Sequence, residues 1–262
     1  MKYDMNGKVA IIIGGSGSTG SAVCRMLAAD GAKVVAVGRT ERTLNRVVDE
    51  IRSQGGEAMA VTGDVKRASD MERVVEAAVK AYGSVDALVN CAGVRGRLEH
   101  RSPVQDYEDD LWNEVIATEM TGVYVAMKPV VRQMLAQGHG GAIVNVGSAT
   151  GVTPLKHQCA FTAAKAGMFN FTKAAAMELG PDQIRVNAVA AGETLNDELR
   201  AMIDSDPAIA GEMVSHTPVG RLAQPDEIAG LICFLVSDAA RFITGSIVSA
   251  DGAWSSGYTR DF

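Results

Sequence analysis

The sequence predicts an α/β protein built on one doubly wound parallel sheet with helices on both faces. Apolar, β-branched runs alternate with amphipathic segments along the chain, which is typical of βαβ units. The first run, Val9–Ile13, has no polar position and ends in glycines, as expected for a strand buried on both faces. No linker, repeat or low-complexity tract interrupts the 262 residues, so residues 1–262 are predicted to form a single domain.

Each element follows from the same alternation. Strands are predicted at Val9–Ile13, Lys33–Val37, Glu57–Thr62, Ala87–Asn90, Ala142–Val146, Arg185–Val189 and Ile247–Ala250. Helices are predicted at Ser18–Asp30, Thr40–Gln54, Ala68–Tyr82, Asp109–Gln137, Gln158–Leu179 and Pro225–Val236. Residues 192–218 mix short helical patches with Asp, Ser and Pro, and we predict a helical lid there. Because the carboxyl ends of parallel strands share one edge, this lid would cover a crevice at that edge.

Composition excludes several classes of function. The balance of 25 Lys and Arg against 31 Asp and Glu gives a formal charge of −6, without the clustered positive charge that nucleic-acid binding needs. The four cysteines lack metal-ligand spacing and are predicted to be reduced core thiols. The apolar run near the start is too short for a secretion signal or a membrane span. We therefore expect a cytoplasmic protein with no metal site, no nucleic-acid partner and no membrane partner.

A glycine-rich stretch follows the first predicted strand. The spacing G-x-G-x-x-G at residues 15–20 is that of a dinucleotide fingerprint, and it stands between a strand and a helix. Glycines there allow a tight turn and let backbone N–H groups approach a pyrophosphate at the positive end of the helix. Ser16, Ser18 and Thr19 add hydroxyls that can contact phosphate oxygens. A glycine turn without a ligand is the alternative for this stretch taken alone.

The end of the second predicted strand bears on the choice of nucleotide. A site for NAD places an acid there to accept hydrogen bonds from the ribose hydroxyls, whereas this chain has Gly38-Arg39-Thr40. A glycine removes the acid that would repel a 2′-phosphate, and a guanidinium can pair with that phosphate in a bidentate manner. NADP(H) is therefore favoured and NAD(H) is possible, while a solvated Arg39 at the start of a helix is the alternative.

Further motifs follow in order along the chain. Asp64-Val65 follows the third strand, Asn90-Cys91-Ala92-Gly93 follows the fourth, and GRLAQPDEIAGLICFLVSDAARFITGSIVSADGAW runs from Gly220 to Trp254. In the stretch SATGVTPLKHQCAFTAAK, Ser148 precedes an aromatic residue by thirteen positions, and Lys165 follows that residue by four. Together with the glycine loop, these motifs resemble the short-chain dehydrogenase/reductase family over nearly the whole chain.

The resemblance implies a Rossmann-type fold, a nicotinamide dinucleotide cofactor, a small-molecule substrate and a homo-oligomer, either a tetramer or a dimer. In that family a tyrosine is the general acid/base and a lysine lowers its pKa and holds the nicotinamide ribose. A serine positions the substrate carbonyl, and an asparagine helps to organise a relay water. The resemblance and the local chemistry together predict cofactor contacts at Gly14, Ser16, Ser18, Thr19, Gly20, Arg39, Asp64, Val65, Asn90, Ala92, Gly93, Lys165, Gly192 and Thr194.

Two catalytic positions depart from the family pattern. Ser148 and Lys165 match, but Phe161 stands at the tyrosine position and Glu119 at the asparagine position. Phenylalanine has no group that titrates, and loss of a positioned acid/base typically costs about 10² to 10⁴ in rate. Glu119 is the first candidate to stand in, with a purely structural ion pair to Lys165 as the alternative. His157 is the second, because residues i and i+4 share a helix face.

Three functional interpretations follow. The first is an NADP(H)-dependent oxidoreductase that acts on a ketone or secondary alcohol with an altered proton relay. The second is a lyase or isomerase of the same fold that uses Glu119 and Lys165. The third is a catalytically inactive nucleotide-binding protein, or a variant inactivated by exchange of tyrosine for phenylalanine. The substrate pocket is expected from Ser148, residues 151–157, residues 193–195 and the lid, whose Val, Leu and Met content indicates a mainly apolar substrate.

Overall fold

The computed structural model describes residues 3–94 and 101–257 of the chain. Its strands are β1 (Val9–Ile13), β2 (Lys33–Gly38), β3 (Glu57–Thr62), β4 (Ala87–Asn90), β5 (Gly141–Ser148), β6 (Ile184–Ala191) and β7 (Ile247–Ala250). Its α-helices are α1 (Ser18–Ala29), α2 (Glu41–Ser53), α3 (Ala68–Tyr82), α4 (Asp109–Ile116), α5 (Gly122–Gln137), α6 (Cys159–Leu179), α7 (Asp197–Ser205), α8 (Ala208–Val214) and α9 (Pro225–Val236). Short 3₁₀ turns lie at Val104–Asp106, Ala149–Gly151, Gly180–Asp182, Asp238–Ala240 and Trp254–Ser256.

Within the described residues, the strands form one parallel sheet in the order β3-β2-β1-β4-β5-β6-β7. β1 lies between β2 and β4, and Ile13 pairs with Val37 on one side and with Asn90 on the other. The direction in which strands are added reverses at β1. The chain adds β2 and β3 on one side of β1 and then crosses to the other side, where it adds β4. A ligand crevice is expected outside the carboxyl ends of the strands at such a switch point.

Every residue of β1 is buried, and its side chains alternate between two apolar layers. Ala10 and Ile12 belong to the layer that contains α1, α2 and α9. Val9, Ile11 and Ile13 belong to the layer that contains α3, α5 and α6. A strand that is apolar throughout needs helices on both faces of its sheet, so the single-domain, doubly wound arrangement predicted from the sequence is confirmed.

Two predicted strands extend further than expected. β5 runs to Ser148 and β6 to Ala191, and the ladder continues with Gly147 paired to Ala190. The glycine suggested a strand end, but a side chain at Gly147 would collide with the ring of Phe169. This glycine is therefore a packing requirement inside the strand, and Ser148 is the last residue of a strand in the interior of the sheet.

The prediction of a single long helix at residues 109–137 is wrong in one respect. α4 ends at Ile116, a π-helical turn covers Ala117–Thr121, and α5 begins at Gly122. A π turn inserts an extra residue without breaking the helical backbone, so the whole segment was predicted as one helix. The turn contains Glu119, which is buried.

Residues 192–218 contain α7 and α8 and have the helical character that the sequence predicts. The base of this segment is fixed because Leu195 donates to the carbonyl of Ala223 at 2.9 Å and Ala223 donates to the carbonyl of Glu193 at 3.0 Å. The Asn196 side chain caps α7 by accepting from the backbone of Leu199 at 2.8 Å. Its action as a lid stays a prediction.

Candidate active site

The glycine loop between β1 and α1 packs against the loop after β4. Gly14 has a φ of +78°, and a Cβ there would lie 2.8 Å from the backbone nitrogen of Ala92. Residues that carry a side chain rarely adopt this backbone conformation. A Cβ on Gly20 would collide with the carbonyl oxygen of Gly14. Both glycines are therefore required for the two loops to form one wall of the crevice.

α1 opens toward this crevice. It begins at Ser18, with Gly17 as its N-cap, and Ser21 donates back to the carbonyl of Gly17 at 2.8 Å. The N–H groups at the start of a helix have no intrahelical acceptor, and the helix dipole makes this end partly positive. Ser18 and Thr19 stand in this first turn, so the loop can hold a phosphate on backbone donors with hydroxyls beside them.

The end of β2 carries an unpaired cation. Arg39 is exposed and makes no hydrogen bond or ion pair with any residue that the structure describes. A Cβ on Gly38 would lie 3.5 Å from the Ser16 hydroxyl, so the glycine loop and the end of β2 are neighbours. The end of β2, Gly38-Arg39-Thr40, has no Asp or Glu between the glycine loop and Arg39.

The turn after β3 is fixed by an acid on α3. Asp70 accepts a hydrogen bond from the backbone nitrogen of Asp64 at 3.0 Å and pairs with Arg73 at 3.0 Å. The backbone hydrogen bond, followed by the guanidinium, holds the pKa of Asp70 below its usual value. Val65 is buried, and its methyl group packs at Gly122, so its side chain anchors the turn to α5.

Asn90 ends β4 in the interior of the sheet. Its Nδ2 donates to Oδ1 of Asn145 at 2.8 Å, and Asn145 donates in turn to the hydroxyl of Thr172 at 2.9 Å. This buried chain of hydrogen bonds ties β4 to β5 and α6. The following residues of this motif, Cys91, Ala92 and Gly93, face the crevice.

A buried ion pair lies at the centre of the crevice. Nζ of Lys165 is 2.7 Å from Oε2 of Glu119 and donates to the carbonyl of Val146 at 3.0 Å. Oε1 of Glu119 accepts from the backbone nitrogen of Val94 at 2.7 Å. Lys165 is 5% exposed and Glu119 is 2% exposed, so each charge depends on the other for compensation. The pair joins α6, the π turn, β5 and the loop after β4.

Phe161 lies one helical turn before Lys165 on α6. It is buried in a small apolar cluster with Val115 of α4 and with Ala160 and Ala164. Nζ of Lys165 lies 5.6 Å from its ring centroid, which is within the range of a cation–π contact. The lysine therefore faces an aromatic surface here, where the family pattern has a phenol.

Ser148 is held by the 3₁₀ turn that follows β5. Its Oγ accepts from the backbone nitrogen of Thr150 at 3.3 Å and from the hydroxyl of Thr150 at 3.0 Å. Both side chains are buried. The turn thus fixes the serine oxygen relative to the end of the strand.

Two adjoining cavities open at this edge. The central cavity, of about 260 Å³, is lined by the ion pair, Phe161 and the loops after β1, β4 and β6. The outer cavity, of about 450 Å³, lies between Ser148 and the helices α7 and α8. Ser148, Gly192 and Met213 line both cavities. The apolar part of the outer lining is Leu155, Met202, Ile209, Met213 and Trp254.

Cys91 belongs to the wall of the central cavity. Burial raises the pKa of its thiol to about 12, although the charge of Lys165 acts in the opposite direction. The thiol is therefore neutral and is a poor nucleophile or base. All four cysteines are free; Cys24 and Cys233 are buried as predicted, whereas Cys91 and Cys159 are partly exposed.

Most residues predicted from the sequence meet at this edge. The central cavity is lined by Thr19, Ala92, Gly93, Glu119, Ser148, Phe161, Lys165, Gly192 and Thr194. Gly14, Ser16, Ser18, Gly20, Arg39, Asp64, Val65 and Asn90 follow the carboxyl ends of β1 to β4 without lining that cavity.

The prediction for His157 is wrong. It is exposed, has a φ of 66° and precedes α6, which begins at Cys159. It therefore does not share a helix face with Phe161, and it lines neither cavity. Within the predicted pocket segment 151–157, Leu155 is the residue that lines the outer cavity.

Thr150 and Trp254 line the outer cavity and were not predicted. Thr150 stands two positions after Ser148, and Trp254 ends the closing motif. Thr150 had a usable signal, because a hydroxyl two residues from a catalytic serine can bond to it across a tight turn. Trp254 had none, since an apolar residue in a loop does not reveal which cavity it faces. Met213 of α8 belongs to the predicted lid and lines both cavities.

No cluster of metal-ligating side chains occurs among residues 3–94 and 101–257. Over the same part of the chain, no helix combines the length and the apolar character needed to cross a membrane.

A family model described as enoyl-(acyl carrier protein) reductase matches residues 14–255. The chain is 36% identical over 248 residues to a cis-4-hydroxycyclohexanecarboxylate dehydrogenase of Sinomonas cyclohexanicum, covering 95% of this chain and 96% of that protein. It is 36% identical over 256 residues to a cyclohexanol dehydrogenase of an Acinetobacter species, covering 98% of each. A short-chain type dehydrogenase/reductase from Mycobacterium ulcerans has the same fold with a TM-score of 0.90 at 26% identity, covering 98% of this chain and 93% of that one.

Proposed function

This chain belongs to the short-chain dehydrogenase/reductase family of oxidoreductase enzymes, and from that premise we propose that it interconverts a ketone and a secondary alcohol with NADP(H) and an altered proton relay. The observation that carries the proposal is the position of Ser148 and the Lys165–Glu119 pair. They line one cavity beside the glycine loop, at the switch point of the sheet. Of the family's reaction centre, the serine and the lysine are present, whereas Phe161 and Glu119 replace the tyrosine and the asparagine.

Family membership implies a nicotinamide cofactor, and the residues at the switch point fit one. The space at Gly14 and Gly20 excludes any side chain, which suits a loop that must approach a pyrophosphate closely. The first turn of α1 would hold the phosphates, with Thr19 beside them, and Lys165 would hold the nicotinamide ribose. When bound, the nicotinamide ring gives a hydride to the carbonyl carbon or takes one from the alcohol carbon.

The preference for NADP(H) is supported by the end of β2. Arg39 is exposed and has no partner among the described residues, and Ser16 lies beside Gly38. These groups would bind the 2′-phosphate, which a carboxylate in this place would repel. We expect Arg39→Ala to weaken NADPH binding about tenfold, in line with the loss of one charged hydrogen-bonding group, and to leave NADH binding unchanged. Arg46→Ala is the matched control, because Arg46 is an exposed arginine of the adjoining helix α2.

The reacting oxygen would lie between Ser148 and Lys165. The serine hydroxyl positions it, and the lysine ammonium stabilises the negative charge that develops there, an effect that is strong in a cavity shielded from water. Glu119 and the Val146 carbonyl fix the ammonium in place. Because both oxygens of Glu119 are engaged, its contribution is to hold Lys165 and the loop at Val94. Phe161 packs the cavity and moves no proton.

An apolar ring is the best-supported type of substrate. The outer cavity adjoins Ser148 and presents Leu155, Met202, Met213 and Trp254. The same cavity is also lined by Arg101, Glu193, Glu212 and His216. Apolar surface together with polar groups that fix the orientation of a ligand is typical of small-molecule sites. Two relatives are named for the oxidation of hydroxylated cyclohexane rings, which agrees with such a lining.

The test is a binding titration followed by a turnover assay. Purified protein is titrated with NADPH and NADH, and loss of NADPH absorbance is then followed with cyclohexanone, substituted cyclohexanones and open-chain ketones of equal carbon number. We expect tighter binding of NADPH and turnover of the cyclic ketones. Tighter binding of NADH would refute the assignment of Arg39, and tight binding without turnover of any carbonyl compound would refute the redox function.

The Lys165–Glu119 pair favours one second candidate, a lyase or isomerase that moves a proton on carbon. Its test is uptake of deuterium next to a ketone carbonyl in D2O without consumption of NADPH, lost in Glu119→Gln. Because both carboxylate oxygens are already bonded within the described structure, to Lys165 and to the backbone nitrogen of Val94, we place this candidate second.

We further propose that the protein acts in the cytoplasm as a homotetramer or homodimer. Apolar side chains on and beside α5 support assembly, since Met120, Tyr124 and Leu135 are 37%, 48% and 43% exposed. Exposed apolar groups grouped on one helix commonly mark an interface. Light scattering on the purified protein tests this, and a monomer at micromolar concentration would contradict it.

A further inference from the structure

We infer that Thr150 supplies the proton for the substrate oxygen through Ser148, in the role that a tyrosine hydroxyl has elsewhere in the family. The inference rests on the proposed redox function. It concerns two hydroxyl groups that are 3.0 Å apart, and the serine of the pair lines both the central and the outer cavity.

The orientation of the Ser148 hydroxyl follows from its hydrogen bonds. The backbone nitrogen of Thr150 can only donate, and it donates to Oγ of Ser148 at 3.3 Å. The Thr150 hydroxyl donates to the same oxygen at 3.0 Å. With these two donors on its oxygen, the proton of Ser148 is left to point outward, and it has no acceptor among the described residues. An acceptor in the cavity, such as a substrate oxygen, completes its bonding.

Three other polar groups of the central cavity are placed differently from the hydroxyl pair. Nζ of Lys165 donates to the carbonyl of Val146, lies 2.7 Å from Oε2 of Glu119 and faces the ring of Phe161. Glu119 carries the countercharge of the lysine, and its Oε1 accepts from the backbone nitrogen of Val94. The thiol of Cys91 lines the central cavity and not the outer one. Among the described residues, Ser148 and Glu193 are the polar side chains that line both cavities, and Ser148 belongs to a pair of hydroxyls, each of which can donate or accept.

The proton balance of a reduction is closed by this pair. A C–H bond forms as the hydride reaches the carbonyl carbon, and the π electrons of the carbonyl move to its oxygen. That oxygen would take the proton of Ser148, Ser148 would take the proton of Thr150, and Thr150 would take a proton from water in the outer cavity, whose wall it forms. The hydroxide left by that water is neutralised by a proton from bulk solvent, which is the final proton source. Oxidation of the alcohol runs the same chain backward, which two hydroxyls permit because each can donate or accept.

The structure assigns Thr150 as a positioning residue that acts through Ser148, and the test separates the effect of its hydroxyl from the effect of its shape. Thr150→Val keeps the shape and removes the hydroxyl, whereas Thr150→Ser keeps the hydroxyl. Each is made in the natural chain and in a Phe161→Tyr background. kcat, the solvent deuterium isotope effect on kcat, the Kd for NADPH and the midpoint of thermal unfolding are measured for all forms.

Thr150→Val is expected to lower kcat about 10²-fold, as for loss of a proton-transfer group, and to reduce the solvent isotope effect, with the Kd for NADPH unchanged. Thr150→Ser should keep kcat within about threefold, a spread too small for loss of a proton-transfer group. In the Phe161→Tyr background the valine change should cost less than about threefold, because a phenol then supplies the proton.

Equal kcat for Thr150→Val and the natural chain would overturn the inference and leave the redox function standing. An equal loss in Thr150→Ser, or the same loss in both backgrounds, would also overturn it, since either marks a role in packing. Absence of turnover in the natural chain would overturn the redox function and the inference with it. If Thr150→Val fails to fold, Thr150→Ala in the two backgrounds gives the same comparison.

Discussion

The nucleotide side and the catalytic side of the sheet edge hold their functional groups in different ways. On the nucleotide side, the contacts are between backbone atoms of neighbouring loops, and Gly14 and Gly20 lie at the points of contact. On the catalytic side, the contacts join side chains from separate elements, such as Glu119 of the π turn and Lys165 of α6. The first side is a local motif with fixed spacing, whereas the second exists only after the sheet has assembled.

This difference shows where the chain can change its chemistry without losing its fold. A Cβ at Gly14 or Gly20 has no space, so the glycine loop accepts few alternatives at these positions. The catalytic side contains two departures from the family pattern, because Phe161 packs in an apolar cluster and Glu119 has a countercharge in Lys165. We therefore expect substitution of Phe161 to alter rate, substitution in the glycine loop to alter binding, and loss of one charge of the Glu119–Lys165 pair to alter stability.

The largest effect is expected when the phenol is restored. Phe161→Tyr should raise kcat for ketone reduction by about 10² or more, because it adds a positioned acid beside an ammonium group. The measurement is steady-state turnover with NADPH and a cyclic ketone. Phe161→Leu, which keeps an apolar side chain and adds no acid, should give no gain. If the tyrosine variant is no faster than the natural chain, the supply of a proton does not limit the reaction.

The next effect tests the nucleotide side. Gly14→Ala should weaken NADPH binding by about 10²-fold or more, since it strains the backbone by about 1 to 3 kcal/mol and disturbs the loop at Ala92. Fluorescence titration with NADPH and a thermal unfolding curve measure both consequences. Gly180→Ala is the matched control, because its Cβ meets nothing within 4 Å and its φ of −56° suits any residue. Unchanged binding in Gly14→Ala would show that the loop is not the phosphate site.

A third effect compares a buried ion pair with an exposed one. Glu119→Gln leaves the Lys165 ammonium uncompensated and should destabilise the protein by about 3 to 5 kcal/mol in urea unfolding. Glu114→Gln breaks a pair with Lys66 at 2.9 Å, in which the side chains are 44% and 33% exposed, and should cost less than about 1 kcal/mol. The double variant Glu119→Gln/Lys165→Met removes both charges and should recover most of the loss. Equal costs at the two sites would mean that water reaches the buried pair.

The fold was predictable from the sequence because local pattern and tertiary arrangement agree in β1 to β4. The strand Val9–Ile13 is buried on both faces of the sheet, and its uninterrupted apolar run predicts this burial directly. The break between α4 and α5 was not predicted, because the chain stays helical through the π turn and no proline or glycine marks its start at Ala117. The end of β5 was not predictable either, since Gly147 serves the packing of Phe169 and resembles a turn residue in the sequence.

Only those residues of the candidate site that belong to a sequence motif were predictable. Ser148, Phe161 and Lys165 are linked by a fixed spacing within one strand–helix segment. The sequence allows a pairing of Glu119 with Lys165, but the geometry of the pair depends on how the π turn packs against α6. The prediction for His157 is wrong because α6 begins two residues after it, at Cys159.

The smallest effect concerns a surface pair that caps α9, a helix packed on the nucleotide side. Arg221 bonds to both carboxylate oxygens of Glu227 at 2.7 Å and lowers the pKa of Glu227 to about 2. A carboxyl whose pKa is lowered in the folded state contributes stability above its ordinary pKa and loses it as the pH falls toward the lowered value. The unfolding midpoints of the natural chain and Arg221→Ala should therefore differ slightly at pH 7 and converge between about pH 4.5 and pH 2. Because the pair is exposed, 0.5 M salt should shrink the difference at pH 7. A difference that persists at pH 2, or that salt leaves unchanged, would mean that Arg221 stabilises α9 through packing of its carbon chain.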